Sequence, residues 1–462
     1  MSMFDGVKKS LEKRRQFRKA DPDDSSGGSG NLTAIKPAKV LLGTDKRKVL
    51  VGDMQKLLSL TQAKFKTIAY PVLCSVAEYG QDLPETRNTY YAGRGGFVDY
   101  ALERTATALK LIRGHMIPAA DEDSELTEPQ CLWVYALFTA GLLRDCGKLV
   151  SDIDVKLFNR SNQQIGTWQP LKGSMLTQGV KYDYDFLPPA TDPHRNAMTL
   201  WLARQLMPAE GLAWLKSDER VFITWIALLQ DERHATGVLG PVLWRAEAMV
   251  IQSHLEALQK LLAQRRGEAG KYGRLSTFSK TEDGLAHGID DEALLAAQFL
   301  EWLREQIADE SFELDNDENG VHVVPEGLLI TDEAFSRFVD KHPQAGGANM
   351  VREAMSGMEV HVAGGGQSNV QNYLQIGRNK ELNGMVLTNL DLVTRTTTAA
   401  DFTTRGTTSE DIRISPHRQS NYVQMPTAAK IGTQALQLIN QEGKVVSSQQ
   451  VQTRAPVEPT KF

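Results

Sequence analysis

The stretch Gly141-Leu142-Leu143-Arg144-Asp145-Cys146-Gly147-Lys148 closes an apolar run that begins at Leu132. That run predicts a helix buried on every side, with Gly147 as its stop and an Arg-Asp pair delivered to its end. Burying an unpaired carboxylate is costly enough that such a group is normally neutralised or paired. Asp145 therefore has to meet a cation or take part in chemistry.

The chain around this helix has 462 residues, enough for two or three domains. Its 41% hydrophobic and 24% charged residues are those of a globular protein with a sizeable core. A net charge of −5 excludes neither nucleic acid nor protein partners, because the distribution of charge matters more than its sum. Three scattered cysteines, Cys74, Cys131 and Cys146, exclude a disulfide framework and a cysteine-type zinc site. They predict a reducing, cytoplasmic setting. No apolar segment follows the basic N-terminus, and no run approaches the ~18 apolar residues that span a bilayer. Neither a secretory leader nor membrane insertion is expected.

Residues 1–37 read as a basic arm and flexible linker. Lys13, Arg14, Arg15 and four further cations within residues 8–19 precede the Ser/Gly-rich segment Asp21–Asn31. Such a composition predicts a solvated tail whose functional use would be phosphate contact. Residues 38–266 read as helices packed on helices, with one short strand at Ile153–Leu157. Residues 267–290 form a polar linker. In 291–394, a helix over Glu292–Ile307 is followed by short strands at Phe312–Leu314 and Val321–Pro325 and by a helix capped at Thr331. Strands Val370–Ile376 and Glu381–Leu387 then pair around a tip carrying Arg378 and Lys380. This order suggests a winged-helix-like α+β module. Residues 395–462, rich in Thr, Ser and Gln, read as a largely disordered tail with a short helix near Thr427–Asn440. The expected fold class is mainly α, with a smaller α+β winged-helix-like domain and disordered tails.

Several chemistries are excluded by their motifs. There is no Gly-x-Ser-x-Gly elbow and no zincin helix. No His-x-His pair occurs. The glycines at 93–96 lack the preceding strand and following Lys-Ser/Thr of a phosphate loop. Tyr90-Tyr91 is all that remains of a tyrosine-nucleophile scheme, and it reads as packing. What is left is Asp99, Asp145, His194, His234 and Glu247. Their oxygens and imidazole nitrogens suit Mg²⁺, Mn²⁺, Fe or Zn²⁺.

Gly141–Lys148 resembles the Gly-Leu-Leu-His-Asp-x-Gly-Lys signature of HD-domain proteins, with Arg144 where that family has His. Further stretches follow in order: Gly93–Phe97, Gly166–Leu171, His194, Gly211–Leu215, Ala235–Gly240, Phe299–Arg304, His322–Leu329 and Gln375–Leu387. As an ordered set over roughly residues 40–395 they resemble the TraI/MobH-type relaxases of integrating conjugative elements.

The resemblance implies an HD-like helical domain that gathers a divalent metal (Mn, Fe, Mg or Zn), followed by a winged domain. It implies relaxase or HD phosphodiesterase-type hydrolase activity, with DNA and the conjugative or type IV transfer apparatus as partners. Its metal positions fall on Asp99, Asp145, His194 and Glu247, of which only Asp145 and His194 stand as the family has them. Arg144 is the departure. A guanidinium has no lone pair for a cation and stays protonated. It serves instead as a charge surrogate, pairing with Asp99, Asp145 or Glu247. The expectation is a degenerate HD site, non-catalytic or weakly catalytic, in a DNA-processing component of conjugative or mobile-element transfer. Two alternatives stand beside it. One is a metal-dependent HD-type phosphohydrolase or nickase that uses the altered carboxylate-rich site, with one metal instead of none. The other is a non-enzymatic scaffold of the transfer apparatus. Lys13, Arg14, Arg15, Arg378 and Lys380 are the candidate DNA contacts.

Overall fold

The computed structural model describes residues 32–116, 126–187, 192–269, 291–360, 370–376, 378–394, 414, 422–424, 436–439 and 445–449. Strand β1 (Thr33–Ala34) is followed by α1 (Ala38–Leu41), α2 (Asp45–Leu57) and α3 (Gln62–Lys64). A π-helical turn, Phe65–Ala69, leads into α4 (Tyr70–Gly80). Next come α5 (Gly96–Met116), α6 (Glu128–Leu143) and α7 (Lys148–Ser151). Strands β2 (Ile153–Phe158), β3 (Gln164–Thr167) and β4 (Lys181–Phe186) precede α8 (Asp192–Leu206), α9 (Ala209–Leu215), α10 (Glu219–Gln230) and α11 (Leu239–Ala269).

Helix α6 is the centre of the first core. Thr127 and Gln130 form a capping box at its start, and from Cys131 to Leu143 every residue except Trp133 is buried. Apolar residues on all sides leave no face for solvent, so α6 is enclosed by α5, α10 and the helices around α4. A Cβ on Gly141 would sit 2.8 Å from Thr105 Oγ1, so this glycine lets α5 and α6 approach closely. Gly147 is not a left-handed stop. Its φ of −57° is right-handed, and α6 already ends at Leu143 with Arg144 as its C-cap. A Cβ on Gly147 would fall 2.1 Å from Arg195 O, so the residue is small because α8 crosses it.

The second part comprises α12 (Asp291–Ala308), β5 (Val321–Val324), β6 (Gly327–Ile330), α13 (Asp332–Lys341), α14 (Ala348–Gly357), β7 (Gln371–Gln375), β8 (Lys380–Leu387) and β9 (Tyr422–Gln424). A separate antiparallel pair, β10 (Leu436–Ile439) and β11 (Val445–Gln449), follows.

The mainly α expectation, an HD-like helical domain plus a small winged-helix-like module with disordered tails, is overturned by two antiparallel sheets. The first is four-stranded, in the order β1-β4-β2-β3, and the second five-stranded, in the order β5-β6-β8-β7-β9. In the first, Val155, Leu157 and Tyr182 turn into the helical core, while Asp183 and Asp185 face outward. In the second, the β7–β8 hairpin is no free wing. β8 is an interior strand, pairing with β6 on one side and β7 on the other, and Met385, Val386 and Leu387 are buried. Tyr422–Gln424, within the expected tail, is the edge strand beside β7. Phe312–Leu314 is not a strand, although Phe312 is buried in the second core. The end of the helix expected near 427–440 is instead strand β10; residues 427–435 lie outside the described residues.

Helix α11 joins the two cores. Leu239, Val242, Leu243 and Ala246 belong to the first, whereas Ala248, Ile251, Leu255 and Leu258 pack with Tyr90, Tyr91, Tyr100 and the second. Polar ties cross the same joint. Arg245 Nη1 lies 2.7 Å from Asp391 Oδ1, Asn389 Nδ2 donates to Trp244 O at 2.9 Å, and Thr89 Oγ1 donates to Gly357 O at 2.9 Å.

Candidate functional site

The end of α6 points into a cavity of about 140 Å³ at this joint. Arg144 and Asp145 (after α6), Glu247 (α11) and Asp231 (after α10) line it from the first part, and Glu359 and Thr388 from the second. Behind it lies Arg104 of α5, 1% exposed.

Arg104 is the organising cation. Its Nε and Nη2 donate to Gly141 O at 3.0 and 2.6 Å. That carbonyl belongs to the last turn of α6, where a helix leaves carbonyls without intrahelical donors. Its Nη1 bonds Asp145 Oδ2 and lies 3.4 Å from Glu247 Oε1. Arg144 meets the same Glu247 oxygen, Nε to Oε1 at 2.9 Å, and reaches Asp231 Oδ1 through Nη2 at 2.9 Å. Arg233 is 3.5 Å from the same Asp231 oxygen. Its Nη1 donates to Thr388 O at 2.8 Å, and its guanidinium lies over the Trp244 ring at 4.4 Å.

A second group adjoins the first. Lys148 Nζ is 2.6 Å from Glu85 Oε1 and 3.2 Å from Glu359 Oε2. Arg195 Nη2 is 2.6 Å from Asp152 Oδ2 and 3.9 Å from Glu359 Oε2.

Burial and neighbouring charge compete at each group. Burial pushes the Asp145 carboxyl up, but Arg104, Lys148 and Arg144 outweigh it and hold the group well below the usual carboxylate range. For Glu247 burial prevails over Arg144 and Arg104, and the carboxyl is raised. Burial lifts Glu85 to about 7 against the pull of Lys148. Burial works against the charged form of Lys148, yet Glu359 and Glu85 raise it overall.

Of the candidate metal positions, the structure joins Asp145 and Glu247 through Arg104 and sets Arg144 on Glu247. Asp99 stands apart, held by Arg47 Nε at 2.6 Å. His194 and His234 are exposed, and neither lines the cavity. Among the described residues no three His, Cys, Asp or Glu side chains converge as a metal site. Two guanidinium groups occupy the carboxylates that would have to chelate, so the donor set does not fit a divalent ion.

Tyr90 and Tyr91 are buried. The Tyr91 ring stacks on His254 at 4.1 Å, and its hydroxyl donates to Glu103. Arg378 is exposed, whereas Lys380 pairs with Asp317 at 3.0 Å. Lys13, Arg14 and Arg15 lie outside the described residues.

Sequence reasoning does not single out Arg104, Asp231, Arg233, Arg195, Glu85 or Glu359. Arg104 alone carries a signal. It falls on the stripe Phe97, Ala101, Ala108, Ile112, where a charge is out of place unless paired.

Residues 32–268 match the TraI_2 family model, described as "Putative helicase". Residues 294–401 match the TraI_2_C model, described as "Putative conjugal transfer nickase/helicase TraI C-term". No curated protein matches the chain.

Proposed function

This chain belongs to the TraI_2 family, and from that premise we propose that it is a DNA-processing component of conjugative or mobile-element transfer. In this reading it is kin to TraI/MobH-type relaxases, and it positions DNA without nicking it by metal-assisted hydrolysis. The observation that carries the second half is the double occupation of the carboxylates: Arg104 on Asp145, and Arg144 with Arg104 on Glu247. Metal-assisted hydrolysis needs a cation that acidifies water or polarises the phosphoryl group. Fixed guanidinium charges hold the site together but generate no hydroxide. The family descriptions also name a helicase. The chain contains no Gly-x-x-x-x-Gly-Lys-Ser/Thr loop to cradle a nucleotide's phosphates, which favours the DNA-positioning reading.

Phosphate contacts would come from the basic arm, including Lys13, Arg14 and Arg15, and from exposed Arg378 at the β7–β8 turn. Transfer-apparatus proteins are the second class of partner. The test incubates the full chain with supercoiled and single-stranded DNA, with and without Mn²⁺, over a salt series. The expected result is retention whose affinity falls linearly on a log–log plot against salt, with no strand scission. Mn²⁺-dependent nicking that disappears in Asp145→Ala would overturn the non-hydrolytic reading. Failure to retain DNA at low salt would overturn the DNA reading.

A further inference from the structure

Glu359 sits oddly for its backbone. It follows α14 with φ +53°, a left-handed conformation that glycine or asparagine adopts more readily. From there it sends its carboxylate across the joint to Lys148 and Arg195, on helices α7 and α8 of the other core. Both cations already have a carboxylate from their own core, Glu85 for Lys148 and Asp152 for Arg195. Glu359 is thus a third anion on two neutralised cations, and it is the one contributed by the second part. Beside it, Tyr90 is 4% exposed and lines the same cavity. Burial and the carboxylates of Glu85 and Glu359 hold its phenol well above the ordinary value, so it stays a neutral O–H at the cavity wall.

We propose that Lys148, Arg195 and the Tyr90 hydroxyl form a subsite for one phosphodiester of a DNA strand, and that Glu359 is a built-in plug that leaves when the phosphate enters. Charge balance admits this ligand. A phosphodiester carries one negative charge, so it replaces the Glu359 carboxylate one for one and leaves the buried network neutral to the same degree. A phosphate dianion would add an uncompensated charge. The exchange frees the turn after α14 and so couples phosphate entry to the seating of the second part. The inference rests on the DNA-processing reading for its ligand, whereas its geometry stands on the Lys148–Arg195–Glu359 contacts.

The probe is dithymidine monophosphate, which has a single phosphodiester, titrated calorimetrically into the full chain and into Glu359→Gln. A plug seated nine-tenths of the time lowers apparent affinity about tenfold, so Glu359→Gln binds about tenfold tighter and Glu359→Asp falls between. In wild type, saturation with the probe speeds amide exchange at Met358–Val360. That second readout needs no variant to fold. Equal or weaker binding by a folded Glu359→Gln overturns the proposal, as does unchanged exchange in saturated wild type. Loss of long-strand DNA retention with the dinucleotide effects intact would instead sink the DNA reading and leave the subsite standing.

Discussion

Replacing Asp145 by Asn removes one charge from the Arg104 network while keeping the side chain's shape. In wild type Asp145 accepts from a guanidinium that is 1% exposed. Breaking a buried pair by removing one partner costs about 3–5 kcal/mol. Two features bring the figure down. Asn keeps an acceptor oxygen for Arg104, and Arg104 retains Gly141 O and Glu247. About 2–3 kcal/mol is therefore expected, since a hydrogen bond to a charged group contributes ~1.5–3 kcal/mol. At about 2–4 °C per kcal/mol for a domain of this size, the melting temperature falls by roughly 4–12 °C. The pH dependence identifies the cause. Asp145's folded-state pKa is depressed from an ordinary 3.8, so its stabilisation is complete above that value and is lost as pH falls toward the folded one. At pH 3 the unfolded group is mostly protonated, and about 1 kcal/mol of the gap between wild type and Asp145→Asn has closed. Urea denaturation at pH 7, 5 and 3 measures the gap directly. A gap under about 0.5 kcal/mol at pH 7, the size of an ordinary surface change, would refute the reasoning. So would a gap equal at pH 7 and pH 3.

Other outcomes follow from the same contacts. Gly141→Ala drives a methyl to 2.8 Å from Thr105 Oγ1; thermal melts should show a loss of about 1–3 kcal/mol, largely recovered by adding Thr105→Ala, and no recovery would mean the helices do not meet there. Arg144→His creates a His-Asp pair but leaves Arg104 on Asp145, so elemental analysis after Mn²⁺ loading should still find far less than one metal per chain. Arg378→Ala should reduce the salt slope of DNA binding by about 1, whereas Lys380→Ala, already paired with Asp317, should change it less; equal slopes in all three proteins would remove the β7–β8 turn from the DNA contact.

What the sequence displayed depended on whether a local pattern reported the environment. The uniform apolarity of α6 announces a buried helix, and it is one. Ile153, Val155 and Leu157 alternate, and they form a half-buried strand. Tyr182–Phe186 alternates as well, but its inward Tyr182 and outward Asp183 and Asp185 read as a polar and aromatic stretch rather than a strand. β6 is buried at every position and β3 exposed at every position, so neither has a period to detect. Without β6, the β7–β8 hairpin reads as a wing instead of the middle of a sheet. The site divides the same way. Arg144 and Asp145 stand out because they interrupt an apolar run. Their partners come from 41 and 87 residues away, Arg104 and Asp231, and only the folded chain brings them together.

Those long-range partners explain why arginines suit this position. Glu247 lies where α11 passes from one core to the other, between Ala246 of the first and Ala248 of the second. From it a continuous series of contacts runs through Arg144, Asp231 and Arg233 to the backbone of Thr388. A divalent ion would draw Asp145 and Glu247 inward to short oxygen distances. Guanidinium groups, with several donors in a fixed plane, instead bind carboxylates on one side and reach carbonyls on the other. Arg104 does this to the end of α6, and Arg233 does it to the second part. The arginines thus make this cluster a joint that fixes how the two parts sit. The pocket's shape then depends on that seating, so any ligand displacing Glu359 acts on the joint and the pocket together.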